Sequence, residues 1–517
     1  MTKYNSILIG ALVVVFYVCL KTDQSRYAAD NLRGRVTELT SPDRQVADFS
    51  WQMKTVQRNQ YQSAYRIEVA SGSKNLNSGK DLVWDSGKIK SEKSVLVPAA
   101  GLKLQPAQTY YWKVKIWNAH GEDTGWSKIN EFRTGLLTEK DWQGARWIGY
   151  RQLPDSMRIF PGIHKTVKIT GNKGLERPVV PLFRKEFELN KKIEEATLYI
   201  SGLGQYEASV NGQKVGNSFL TPGWTDYNKT VLYDLYDVTK MLRKGKNAIG
   251  VIVGNGFFNI NRERYRKLVI ALGNPMMIAQ LRVRFDDGTE QVIVSDDNWK
   301  TTPSPITFTS LFGGEDYDAR LEQPGWNLPD FNDQAWQKPV LVTPPSGKLM
   351  REKDYPVEVM QEFEPKTIRK LADSSYLVDF GQNASGIIGL KVKGKKGQEV
   401  RLTQSELIGD DGEPNQTATG KPNYLTYILK GEGIESWHPR FTYTGFRYLK
   451  IEGAVPDSVA GEGSEATLIG IRALHTRNSA PQAGTFSCSN DLFNRTFNLI
   501  NWAIKSNLQS VLTDCPH

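Results

Sequence analysis

Tyr110-Tyr-Trp-Lys-Val-Lys-Ile-Trp117 alternates with period two, placing Tyr110, Trp112, Val114 and Ile116 on one face. Such alternation belongs to a half-buried β-strand, because successive side chains leave opposite faces of the pleat. Upstream, Ala64-Tyr-Arg-Ile-Glu-Val-Ala70 repeats the pattern, and Trp84-Asp-Ser-Gly-Lys88 between the two is a turn signal. The surrounding chain is therefore read as sheet.

Strands at this spacing predict a small fibronectin III-like sandwich over residues 32–136. Residues 137–180 contain Asp141-Trp142 and Arg146-Trp-Ile-Gly149, then a Gly-, Pro- and Lys-rich stretch without period, and are read as a linker. A second, jelly-roll-like β unit is expected over 181–338. In it Asn211-Gly212 and Asp286-Asp-Gly288 supply hairpin turns between alternating runs. A third β unit is expected over 339–476, with strands at Ile388–Lys393, Val400–Thr403 and Phe446–Ile451. After Ser489 the period changes. Phe493, Phe497, Ile500, Ile504 and Leu508 recur at helical spacing, and Ser489 or Asn490 can cap that helix. The fold class is mainly β, with tandem sandwiches ahead of a helical segment over 477–517.

A length of 517 residues suits several domains rather than one. The 13 Trp, 21 Tyr and 20 Phe, with 45 Gly and 24 Pro, fit many short strands joined by tight turns. The same flat rings suit contact with sugars, although most aromatics of a sandwich fill its core. The net charge of +10 is dispersed, with no basic helix and no RNA-binding or zinc-finger pattern, so nucleic acid is not an expected partner. Cys19, Cys488 and Cys515 form neither a disulfide framework nor a metal-type spacing. Lys3 followed by the apolar run 7–20 and then Lys21, Asp23 and Arg26 reads as an export leader over residues 1–24. Phe16-Tyr-Val18 before Cys19 is a poor lipobox. The expected location is periplasmic or cell-surface, with membrane attachment only through a lipid or an uncleaved leader.

Nucleophile elbows, zinc-helix motifs and phosphate-binding loops are absent from the sequence. Carboxylates are too numerous for spacing alone to select an acid/base pair. Other strings are more informative as a set. They are Val210-Asn-Gly-Gln-Lys-Val215, Thr221-Pro-Gly-Trp-Thr-Asp-Tyr227, Gly245-Lys-Asn-Ala-Ile-Gly-Val251 and Gly254-Asn-Gly-Phe257. Gly313-Gly-Glu-Asp-Tyr-Asp-Ala-Arg320, Asp379-Phe-Gly-Gln-Asn383, Phe441-Thr-Tyr-Thr-Gly-Phe-Arg-Tyr448 and Ser510-Val-Leu-Thr-Asp-Cys-Pro-His517 follow in order. In this order they resemble the bacterial α-L-rhamnosidases of glycoside hydrolase family 78.

The resemblance implies accessory β domains ahead of an (α/α)6 barrel in which inverting hydrolysis releases α-linked L-rhamnose. The partner it implies is a rhamnose-containing oligo- or polysaccharide. Asp514 matches a family Asp that binds the sugar hydroxyls. The family's general acid and general base match positions beyond His517, so no catalytic residue is expected within this chain, which is read as an N-terminal fragment, inactive alone. The second β unit resembles a module that can hold sugar through a calcium ion, with Asp226, Asn255, Glu315 and Asp318 as candidate ligands; no other cofactor is implied. Trp224 and Phe257 are the candidate aromatic platform. Each metal candidate also has a structural reading: Asn255 between glycines suits a turn, and Glu315 can pair with Arg320. Cys515 reads as a small buried apolar residue. The alternatives are a non-catalytic rhamnose- or carbohydrate-binding protein, or a decayed gene product.

Overall fold

The computed structural model describes residues 27–38, 45–160, 171–265, 268–459 and 465–516. The leader expected over residues 1–24 lies outside them. Among the described residues no helix is long and apolar enough to cross a membrane. The chain divides into two compact units, residues 1–142 and 143–517.

In the first unit the strands Gln62–Ala70 and Thr109–Asn118 pair antiparallel, flanked by Leu82–Asp85 and Asp123–Trp126. A second sheet is built on Tyr27–Glu38, Gln45–Thr55 and Val97–Pro98. The predicted inward face is the core: Trp112, Val114 and Ile116 are fully buried, and Phe49 of the facing sheet lies 4.5 Å from the Trp112 ring. Buried Trp51 keeps its indole N–H satisfied by donating to Gln62 Oε1 at 2.7 Å.

The second unit contains three large sheets. A seven-stranded sheet, with Ile193–Leu203 and Met276–Phe285 at its centre, faces a five-stranded sheet centred on Gly245–Gly254. Phe183, Ile200, Tyr206, Val251, Leu281 and Trp299 fill the space between them. An eleven-stranded sheet built around Tyr376–Lys393, Thr444–Glu452 and Ala466–Asn478 holds a second core of Val378, Ile388, Leu390, Val400 and Trp437. Two strands of the five-stranded sheet serve both cores. Phe183 and Val251 point into the first, while their neighbours Leu182 and Ile252 point into the second. A strand covered on both faces has no polar side, which is why Ala248–Gly254 reads as a continuous apolar run.

The hairpin turns form where expected. Asn211 and Gly212 have φ of 50° and 82°, the left-handed pair that a two-residue turn needs. Two other expectations are corrected, and one strand order goes beyond them. The boundary at 338/339 is crossed in both directions. Ile306–Ser310 and Gly314–Asp318 join the eleven-stranded sheet, and Lys348–Arg351 pairs back onto Thr230–Asp237. The stretch 137–180 is not all linker, because Ile148–Gly149 is hydrogen-bonded between Met276–Met277 and Val340–Leu341. The runs at 388–393 and 400–403 are consecutive in sequence yet do not pair with each other: the first pairs with Ala466–Asn478 and Ile434–Trp437, the second with Leu425–Ile428 and Thr444–Glu452. Each difference is a long-range backbone pairing that local periodicity does not encode.

The terminal helix spans Asp491–Asn507, and the side chain of Asn490 caps it by accepting from Leu492 N–H. Its attachment side is Trp502 and Ser506. Trp502 meets Phe363 and His475, and Ser506 Oγ accepts from Ser385 N–H at 3.4 Å. Phe493, Ile500 and Ile504 of the apolar stripe remain more than half exposed.

Candidate functional site

The site is organised by aromatic stacking. Trp224, on the loop after Phe219–Thr221, lies over Phe257 with ring centroids 4.5 Å apart and planes 18° from parallel. Phe257 meets Phe312 edge-on, and Phe312 in turn contacts Tyr265 and Tyr443. These rings bury their backs in a small core with Phe219, Leu220, Leu311 and Ile387, while Trp224 keeps 41% of its surface exposed. The outer ring is thus held rigidly from below and open above, which suits an apolar sugar face.

The segment after the helix crosses this aromatic ground. Leu508 O accepts from Asn478 N–H at 2.8 Å, and Pro516 O from Gly445 N–H at 2.7 Å. Between them Gln509 is buried and donates to Thr476 O and Ser385 Oγ. Thr513 ties back to Asn507 and shares a hydrogen bond with the Tyr443 side chain. Gly445 permits the close approach: a Cβ there would stand 2.5 Å from Pro516 Cγ. Ser510 Oγ lies 3.5 Å from Trp224 N. Ser510 and Thr513 share with Phe257 and Tyr443 the lining of a cavity of about 20 Å³. That space is enough for one water and too small for a sugar, so this aromatic floor is closed and any sugar must sit above it. Asp514 is exposed on this segment. Of the three expected sugar-contacting residues, Trp224 and Phe257 therefore stack on each other, and Asp514 follows Thr513 on the segment whose Ser510 approaches Trp224. Cys515 is exposed rather than buried, because the segment lies on the surface.

The four expected calcium ligands do not converge. Asp226 is exposed, accepts from Asn228 N–H and pairs with Lys229 at 3.2 Å. Asn255 is buried and donates to Thr309 O at 2.7 Å; its Oδ1 has no donor, but one amide oxygen is far from the 6–8 oxygens calcium takes. Glu315 is fully buried and accepts from the N–H groups of Arg440 and Phe441; burial, only partly offset by those bonds, pushes its carboxyl up to about 7. Arg320 holds Asp318, not Glu315, through contacts of 2.8 and 2.7 Å and keeps that carboxyl below its usual range. Among the described residues no cluster of three or more His, Cys, Asp or Glu is placed to hold a metal. This donor set does not fit calcium, because N–H groups already occupy the carboxylates.

One acidic pair escaped the sequence reading. Asp234 and Glu352 share a hydrogen bond beside a polar cleft of about 180 Å³ that also reaches Ser510. Asp234 further accepts from Tyr206 Oη at 2.6 Å and Thr221 Oγ1 at 2.7 Å, and Glu352 from Gly223 N–H at 3.1 Å. Burial, then the Asp234 charge, pushes Glu352 up to about 8; burial also raises Asp234. One proton held between the two carboxyls thus fixes the backbone immediately before Trp224. The residues are 118 apart in sequence, and the parallel pairing of Thr230–Asp237 with Lys348–Arg351, the strand just before Glu352, brings them together.

Comparison with known proteins settles the kinship. Successive stretches match four family models: the Rha78A-like N-terminal immunoglobulin domain over 36–138, the alpha-L-rhamnosidase N-terminal domain over 191–361, the bacterial alpha-L-rhamnosidase concanavalin-like domain over 369–470, and the 6 hairpin glycosidase domain of the same enzymes over 481–517. An alpha-L-rhamnosidase of Formosa agariphila is 33% identical across 100% of this chain and 55% of its own length. The chain belongs to the bacterial α-L-rhamnosidase family. Among solved structures, the α-L-rhamnosidase from Dictyoglumus thermophilum superposes with a TM-score of 0.80 and 38% identity, covering 95% of this chain and 53% of that one. The Streptomyces avermitilis α-L-rhamnosidase complexed with L-rhamnose gives a TM-score of 0.81 at 25% identity, covering 95% and 61%. The chain spans about half the length of the curated rhamnosidases it matches. The helix Asp491–Asn507 and the Asp514 segment fall inside the 6 hairpin glycosidase match, so the rhamnosidase barrel model begins on the same ground as the Trp224 stack.

Proposed function

We propose that this chain supplies the β scaffold and one sugar-contacting edge of an α-L-rhamnosidase that acts by inverting hydrolysis on rhamnose-containing glycans. One observation carries the reading. The segment bearing Asp514, within the glycosidase match, is bonded at both ends to the eleven-stranded sheet and runs beside the Trp224–Phe257 stack. An exposed carboxylate on a segment that also reaches a fixed aromatic face can offer strong acceptors to sugar hydroxyls, with the ring as a flat surface. Inverting hydrolysis needs two carboxyl groups about 6.5–9.5 Å apart with a water between them. By family likeness neither of those carboxyls is a residue of this chain, and the Asp234–Glu352 pair does not replace them, because its members are in direct hydrogen-bond contact with no room for water. The leader composition, Lys3 before the apolar run 7–20, supports action outside the cytoplasm.

The test is turnover of an aryl α-L-rhamnoside. The 517-residue chain is expected to give none. A protein carrying the same residues followed by the remainder of a rhamnosidase barrel is expected to hydrolyse it with inversion, seen by NMR of the first-formed anomer. Hydrolysis by the 517-residue chain, or retention by the longer protein, overturns the reading.

A further inference from the structure

A third concavity in the unit 143–517 shares no lining residue with the small cavity beside Phe257 or with the cleft at Asp234 and Glu352. Its volume is about 400 Å³, in the range of sites for small molecules. Its floor is the strand Gln205–Val210, which sends Tyr206, Ala208 and Val210 into the sandwich core and therefore turns Glu207 and Ser209 the other way. One wall is the turn from Glu322 to Asn327, and the other is Arg440 from the segment before Thr444–Glu452.

The turn is fixed at several points. Arg184, 2% exposed, donates from Nε to Trp326 O at 3.0 Å and from Nη2 to Leu328 O at 2.9 Å. Gly212 N–H donates to Asn327 O at 3.1 Å, and Asn327 Nδ2 to Ser209 Oγ at 2.9 Å. Beneath it, a Cβ on Gly250 would lie 2.6 Å from Asn327 Cβ and 2.7 Å from Trp326 Cζ3, so the turn rests directly on strand backbone. The walls stand in place before any ligand arrives, which removes an ordering cost from binding.

The charges in the cavity compensate one another. Glu207 is paired with Lys214 at 3.1 Å and Arg440 at 3.3 Å. Glu322 is paired with Lys430 at 2.7 Å and accepts from Tyr317 Oη at 2.9 Å. An ionic ligand of either sign would meet a like charge beside each opposite one. Paired carboxylates and cations still keep free lone pairs and N–H directions for hydroxyl groups. Leu182, Ile252, Pro324 and Trp326 supply apolar lining. The matching ligand is a neutral ring with several hydroxyls and one apolar face.

We propose that this cavity binds one uncharged pyranose unit of a glycan, independently of the face at Trp224 and Asp514. The inference goes beyond the rhamnosidase reading and survives its failure, since it concerns binding and not turnover. The test is saturation-transfer NMR on the full 517-residue chain, titrated separately with methyl α-L-rhamnopyranoside and methyl α-D-glucopyranoside. At least one of the two is expected to bind saturably. That binding is expected to persist in Trp224→Ala and to weaken at least fivefold in Glu207→Gln and in Lys214→Ala. Lys214 has a 41% exposed side chain, so its variant decides the matter if Glu207→Gln does not fold. Saturable binding by neither glycoside, loss of binding in Trp224→Ala, or unchanged affinity in folded Lys214→Ala overturns the proposal.

Discussion

The strand Gly314–Asp318 and the segment Leu508–Pro516 both carry acids inside family-like strings, yet the fold treats those acids in opposite ways. In the strand, Glu315 lies under two backbone N–H donors, Asp316 is held by Arg264 at 2.8 and 2.6 Å, and Asp318 by Arg320. In the segment, the backbone is tied down at both ends while Asp514 is left exposed. The difference lies in what surrounds the carboxylate. A buried carboxylate must consume nearby donors and becomes part of the frame, whereas an exposed one on a fixed backbone is free to take a ligand. A motif acid is therefore not a site until its donors are known.

Substitutions can break this contrast. The largest effect is expected for Glu315→Ala, which strands two buried N–H groups and opens a cavity. It should cost about 3–5 kcal/mol, read by denaturant unfolding, and a loss below about 1 kcal/mol would show that Glu315 is not the clamp. Gly445→Ala should cost less, about 1–3 kcal/mol, by driving a methyl into Pro516. Its local signature is faster proteolysis after the helix; unchanged cleavage there would show that the segment is not seated on Gly445.

The Asp234–Glu352 pair gives a pH test. Glu352 has a folded pKa of about 8 against an ordinary value of 4.5, so the folded state holds a proton that the unfolded state releases. Its stabilising contribution is complete below about pH 4.5 and is lost as pH rises through about 8, at up to about 1.4 kcal/mol per pH unit. Glu315 acts in the same direction over a narrower window ending near 7. Glu352→Gln keeps an acceptor for Gly223 N–H and offers an amide N–H to Asp234. It should flatten the fall in melting temperature between about pH 5 and 8, and an unaltered slope would rule out the shared proton. The smallest stability effect is expected for Asp514→Asn, within about 0.5 kcal/mol of the parent. A larger loss would place Asp514 in the frame with Glu315 and erase the contrast.

Much of the fold was legible in the chain. The alternation at 110–117, the hairpin at Asn211-Gly212 and the helix capped by Asn490 follow from local sterics and periodicity, and each forms where the residues place it. The strand crossings around 306–318 and 348–351 were not legible, because strand partners are chosen by burial across hundreds of residues. The site divides the same way. Trp224, Phe257 and Asp514 stand out through their strings; the two rings stack, and Asp514 lies exposed on the segment whose Ser510 approaches Trp224. The calcium set came from the same kind of string and was dispersed by hydrogen bonds.

By itself, then, the sequence determined the element types, the buried faces and the family, since side-chain period and turn chemistry act over a few residues. Only the tertiary structure decided which acids are bound inside and which are left open. It also decided that Asp234 meets Glu352 and that a cavity forms between Glu207, Trp326 and Arg440. Those outcomes depend on desolvation and on donors brought from elsewhere in the chain, and neither quantity exists until the sheets have packed.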